Sequence, residues 1–184
     1  MGITLRRLVL LVVLMVGLVS CADKTTGSPL PGTPNEPSTG TQPSTGTTKP
    51  GGSPLADTDP CSLLSASDQS TLGVGNGEKR TVGVARTCRW RLRGANETII
   101  FDVGILETAG MTDVPNSIQV KQLPDIGGHK AAEHTGGGGA GSCTIILGVS
   151  QKSRVDTNVI AGTDTQKACD RTMELARLVE PKLP

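Results

Sequence analysis

The sequence predicts an α+β domain: a mostly antiparallel sheet of about five strands, with an N-terminal and a C-terminal helix packed on one face and two disulfides bracing them. Three observations carry this expectation. Short segments with period-two alternation follow one another through Gly-rich turns, without helical patterns between them. Helix signals occur only at the two ends of the domain. Four cysteines, Cys61, Cys88, Cys143 and Cys169, lie in the domain that follows an export signal, an even number in a chain directed to an oxidising compartment.

Arg6 and Arg7 form a positive n-region ahead of the apolar run Leu8 to Val19. Crossing a bilayer takes about 20 apolar residues, so this run reads as the core of a secretory signal peptide over residues 1–20. Leu18-Val19-Ser20-Cys21 then has the order of a bacterial lipobox, two aliphatic residues, a small residue and a cysteine. It resembles the signals of bacterial lipoproteins. That resemblance implies a diacylglycerol on the Cys21 thiol, cleavage before Cys21, and a protein held at the extracytoplasmic face of the cell membrane.

Residues 21–56 read as a tether behind the lipidated cysteine. Residues 22–56 hold seven of the twelve prolines and a six-residue repeat, Pro37-Ser38-Thr39-Gly40-Thr41-Gln42 and Pro43-Ser44-Thr45-Gly46-Thr47-Thr48. Such a composition has no apolar surface to repay the entropy of ordering. As a flexible coil it reaches roughly 33 Å, and as polyproline II about 110 Å. Its Ser, Thr and Pro content suits O-glycosylation as well as a bare solvated linker.

Residues 57–184 read as one folded domain. Asp59-Pro60-Cys61 opens a helical turn with an N-cap and a proline at the first position, and Ser65 caps a short helix that ends near Gly73. From Arg86, the residues Cys88, Trp90 and Leu92 fall on one face of a strand and Arg89, Arg91 and Arg93 on the other. A four-residue turn, Gly94 to Glu97, sets Trp90 opposite Phe101, Leu92 opposite Ile99 and Arg89 opposite Asp102. Cys143, Ile145, Leu147 and Val149 share a face of the strand Ser142 to Ser150. Thr163-x-x-Gln166 has the form of a capping box for the last helix, whose apolar face is Ala168, Thr172, Leu175, Ala176 and Val179.

Three disulfide connectivities are possible. Each half of the domain offers one helix cysteine and one strand cysteine, which favours Cys61 with Cys88 and Cys143 with Cys169. Loops of this length would each stabilise the fold by about 3.5 kcal/mol in the chain-entropy account. Zinc is the weaker alternative, because no pair has the spacing C-x₂₋₄-C.

The order Asp59-Pro60-Cys61-Ser62-Leu63-Leu64, Cys88-Arg89-Trp90, Ile126-Gly127-Gly128, Cys143 in a strand and Ala168-Cys169 in a terminal helix resembles the actinobacterial lipoproteins of the domain of unknown function 3558 family. The resemblance covers the signal, the linker and essentially the whole domain. It implies an envelope lipoprotein and no known reaction. The run Gly136 to Gly139 has no assigned role there.

The charges nearly cancel, 18 basic against 17 acidic residues, and loss of the signal leaves a net charge of −1. Neutrality argues against a nucleic-acid partner, whose binding would come from phosphate neutralisation. His129 and His134 flank Glu133 without forming H-E-x-x-H, and no serine stands in a nucleophile elbow or S-x-x-K, so the histidines read as solvent-facing and no catalytic, metal or cofactor site is assigned. Gly136 to Gly141 lacks the helix and Lys-Ser/Thr of a phosphate loop and reads as a mobile connection between strands. Asn96-Glu97-Thr98 has the form of an N-glycosylation acceptor but carries no weight in a bacterial lipoprotein.

Two function classes follow. The first is a non-enzymatic binding or accessory lipoprotein that contacts an envelope protein, a lipid or a wall polymer. The second is an extracytoplasmic enzyme using carboxylates such as Asp102, Asp125 or Asp156, or a small-molecule or lipid carrier. Arg89, Arg91 and Arg93 are the candidate anion contacts. The same three arginines would equally guard an edge strand against unwanted pairing.

Because no other attachment is encoded, Cys21→Ala should move the protein out of the detergent phase or leave it as uncleaved precursor. Immunoblotting of separated phases checks this. Detergent partitioning of a processed Cys21→Ala protein would contradict the lipid anchor.

Overall fold

The computed structural model describes residues 52–115 and 120–184, so Cys21, the signal and nearly all of the proposed tether lie outside the described residues. The described chain forms an α+β domain built on a seven-stranded, wholly antiparallel sheet. Its strands are β1 (Glu78–Val82), β2 (Ala85–Arg93), β3 (Thr98–Leu106), β4 (Lys121–Ile126), β5 (His129–Thr135), β6 (Ser142–Ser150) and β7 (Ser153–Ala161). Their order is β1-β2-β3-β7-β6-β5-β4. Two meanders, β1 to β3 and β4 to β7, therefore meet where β3 pairs with β7.

Seven strands correct the expectation of five. The two outer strands have the weakest pattern to read. All five residues of β1 are exposed, and β4 carries Lys121, Gln122 and Asp125 around Pro124. A strand without a buried face has no alternation to read, and charge and proline are what keep such an edge from pairing further.

The N-terminal helix is also different from the one expected. The piece seated on the sheet is a 3-10 turn, Pro60–Leu63, capped by the Asp59 carboxylate, which accepts from the Cys61 N–H at 3.0 Å. The following helix α1 (Ala66–Leu72) is under two turns long and ends at Gly73, which takes a left-handed conformation (φ 70°). Its polar ties run to the C-terminal part of the chain: Arg171 of the last helix, α2 (Thr165–Val179), donates to the Leu72 carbonyl, and the ammonium of Lys182, beyond α2, donates to the Asp68 carboxylate and to the Leu63 carbonyl of the preceding turn. The cap of α2 is Asp164, one residue beyond Thr163, because its carboxylate accepts from Lys167 N–H at 2.9 Å.

One sheet face makes the core. Cys88 and Trp90 of β2, Phe101, Val103 and Ile105 of β3, Cys143, Ile145 and Leu147 of β6, and Val155 and Val159 of β7 are all buried there under Leu63, Leu64, Leu175 and Val179. Register puts Trp90 opposite Phe101, Leu92 opposite Ile99 and Arg89 opposite Asp102. The disulfides join Cys61 to Cys88 and Cys143 to Cys169, with Cα separations of 5.0 Å, and each fastens a helical cover to an inner strand. Gly77 lies so close to the Cys88 sulfur and the Trp90 ring that a Cβ there would sit 2.4 and 2.7 Å from them. Only glycine lets the chain pass at that point. The folded part also begins before Asp57: Leu55 is fully buried, and Arg86 donates to its carbonyl at 2.8 Å.

Ser65 and Asp68 form a reciprocal capping box at α1. Burial would raise the Asp68 carboxyl, but its bonds to Lys182 and Ser65 hold it below the ordinary aspartate value. A depressed carboxylate stabilises the fold above its unfolded-state value of about 3.9 and stops doing so as pH falls through the lower folded-state value. Asp68→Asn should therefore cost about 1 kcal/mol at pH 7, with the gap closing below about pH 4. Urea denaturation of both proteins across pH measures it, and a gap unchanged at low pH would contradict the assignment.

Candidate functional site

Among the described residues the other sheet face carries no α-helix. Its far end is crossed by the β3–β4 connection, where Met111 lies over Gly148 and the Gly110 carbonyl accepts from Arg154 at 2.8 Å. The rest is a groove of about 370 Å³. It runs from Leu106 and the β1–β2 hairpin tip, Val82 to Ala85, to His134, Gly137, Gly138 and Ile160 beside the glycine-rich loop.

Antiparallel register builds its floor. One row crosses six strands as Glu78, Arg89, Asp102, Asn158, Thr144 and His134, each directly opposite the next. The adjacent row contains Thr87, Gly104 and Asp156. Gly104 sets the depth. A Cβ there would point at Thr87 Oγ1 at 3.3 Å and Ala85 Cβ at 3.5 Å, so any longer side chain would rise into the groove.

The charges on this floor are matched in pairs. Arg89 donates from Nε and Nη2 to the two oxygens of Asp102, both at 2.6 Å. Arg154 donates from Nε to Asp156 at 2.9 Å. Asp156 lies deep yet opens to the groove, and burial pushes its carboxyl up against the pull of Arg154. Burial pushes His134 down, against the pull of the Asp156 charge, so its ring is neutral near pH 7. Its Nδ1 is sealed from solvent without a hydrogen-bond partner. Gly137 packs on that ring, where a Cβ would come within 2.6 Å of Cε1.

The candidate residues read from sequence divide here. Arg89 lies on the groove floor but is committed to Asp102. Arg91 donates to Glu78 at 2.7 Å and Arg93 ends the strand as an exposed residue, and all three arginines line one shallow depression with Gly75, Asn76 and Glu78. β1 pairs along the outside of β2 only as far as Arg89, whose partner is Glu78, so Arg91 and Arg93 lie on the part of β2 that β1 does not cover. Asp102 and Asp156 do come together at the groove, whereas Asp125 is on β4 with Lys130 at 2.9 Å. Each groove carboxylate is already held by an arginine.

The histidines are not solvent-facing. His129 Nδ1 lies 2.8 Å from Glu180, which also accepts from the Gly128 N–H, so the pair clamps the β4–β5 turn to the C-terminal segment. His134 is half-buried at the groove wall. Gly136 to Gly141 is an ordered hairpin loop, held by Gly139 N–H to the Gly136 carbonyl and Gly138 N–H to Ser142 Oγ. Glu133 approaches Cys143 and Cys169, but both sulfurs are joined in the disulfide and offer no thiolate to a metal. A second depression, between the 3-10 turn and β1–β2, is lined by Asp59, Lys79 and Arg86. Its charges are engaged structurally, Lys79 with Asp59 and Arg86 with Glu107 and the Leu55 and Thr58 carbonyls.

Thr87, Gly104, Thr144 and Asn158 escaped the sequence reading. A signal existed: Asp102, Thr144 and Asn158 are polar at the middle of the outward face of strands whose other outward positions include Ile100, Leu106, Ile146 and Ile160. What sequence does not show is that β3, β7 and β6 bring Asp102, Asn158 and Thr144 into one row.

With fold and groove defined, comparison with known proteins places the chain in one family. Residues 16–182 match the family described as protein of unknown function (DUF3558), and the chain belongs to it. No curated protein and no solved structure matches.

Arg89→Gln strands a largely buried carboxylate and should cost about 2 kcal/mol, while Arg93→Gln should stay within about 0.5 kcal/mol of the parent. Equilibrium unfolding separates them. Equal effects would contradict the division between a structural Arg89 and a free Arg93.

Proposed function

We propose that the protein is a non-enzymatic binding module, anchored through lipid on Cys21 to the extracytoplasmic face of an actinobacterial cell membrane, and that it holds an envelope ligand in the groove on its open sheet face. The anchor rests on the lipobox and the family resemblance. The binding role rests on one observation: a groove of ligand size whose floor is polar and whose charges are already paired within the protein. Acid/base chemistry is less well supported by it, because Asp102 and Asp156 both face arginines.

Native mass spectrometry of the intact lipoprotein, released gently from membranes, tests this reading. It should show a retained non-covalent mass. Gly104→Val adds a β-branched side chain suited to a strand and fills the groove from its floor. That variant should remain folded, by its cooperative unfolding transition, and lose the retained mass. A parent without bound mass, or a folded Gly104→Val protein that retains it, would overturn the reading.

A further inference from the structure

We infer that the groove selects an uncharged amphiphile with a hydroxyl-bearing head, the head lying over Asn158 and Thr144 and the aliphatic part over the β1–β2 hairpin tip. This rests on the groove being the binding site.

The floor has no free charge to offer. Both oxygens of Asp102 are taken by Arg89, and Arg154 is shared between Asp156 and the Gly110 carbonyl. An ionic ligand entering here finds no unpaired countercharge. It would either break a pair or lose its hydration without replacement.

What the floor still offers is hydrogen bonding. The Asn158 side-chain amide donates from Nδ2 to the Cys143 carbonyl at 3.1 Å and to Thr144 Oγ1 at 2.8 Å. Those bonds orient the amide and leave its Oδ1 as an acceptor. Thr144 Oγ1, having accepted from Asn158, keeps its proton to donate. An acceptor and a donor side by side on neighbouring strands match the dual character of a hydroxyl.

One end of the groove is apolar. Val82 is 51% and Val84 81% exposed, the two large exposed hydrophobic side chains among the described residues, and both line the groove with Leu106. A hairpin tip would ordinarily be polar. Two valines there give an aliphatic segment a surface that is otherwise left in water.

The test uses the intact lipoprotein in phosphatidylcholine nanodiscs, with empty nanodiscs as reference, titrated calorimetrically with hexyl β-glucoside, hexyl sulfate and hexyltrimethylammonium. The glucoside should bind at least about tenfold more tightly than either ion. Thr144→Val should weaken it about fivefold, the loss of one hydrogen bond. Val82→Ser with Val84→Ser, at exposed positions where folding is not at issue, should weaken hexyl glucoside and leave methyl glucoside unchanged. Tighter binding of a charged probe, abolished by Gly104→Val, would overturn the inference while the groove remained a binding site. Glucoside binding indifferent to Gly104→Val, or the absence of any groove-dependent binding, would overturn both.

Discussion

Everything else in this domain depends on the pairing of β3 with β7. The two strands are far apart in sequence, and their register, Ile99 opposite Ala161 through Leu106 opposite Arg154, joins two meanders into one sheet. Their side chains alternate between two tasks. Phe101, Val103 and Ile105 with Val155 and Val159 form the centre of the core, while Asp102 and Gly104 with Asp156 and Asn158 form the centre of the groove. A slip of one residue would exchange the two faces, putting carboxylates under the helices. The core and the candidate site therefore share one determinant.

The second constraint is a shortage of cover. Among the described residues, one fifteen-residue helix, a short helix and a 3-10 turn cover one face of the seven-stranded sheet. With only Trp90 and Phe101 as aromatic residues, the covered face is built mainly from aliphatic side chains, and the two disulfides fasten its covers directly to β2 and β6. The uncovered face has to satisfy its own polar groups. Cross-strand rows do this, since each strand contributes one partner at a fixed spacing and Arg89 with Asp102, and Asn158 with Thr144, meet without any long-range loop. A preformed polar floor under an apolar lip follows from that arrangement.

Sequence disclosed the parts of this molecule that are local. Caps at Asp59 and Ser65, the hairpin register at Trp90 and Phe101, the strand from Ser142 and the apolar face of α2 are each written within a dozen residues. The sheet edges were hidden for the opposite reason: β1 and β4 bury almost nothing, so they leave no alternation. The groove was hidden because its row draws single residues from six strands, and Thr144 or Asn158 alone looks like any outward polar residue. Arginine alternation on β2 was legible, but its meaning was not. Whether Arg89 is free or bound depends on Asp102 and on the strand lying outside it, and neither follows from the charge pattern itself.

Native-state hydrogen exchange tests the seam on which this account rests. The amides of Ile99–Leu106 and Arg154–Ala161 should be the slowest in the domain and should exchange only with global unfolding. Reduction of both disulfides should lower that free energy while these amides remain the slowest. If the two meanders opened independently, with the β3 and β7 amides exchanging before those within either meander, the seam would not be the foundation of the fold, and the floor built upon it would not be preformed.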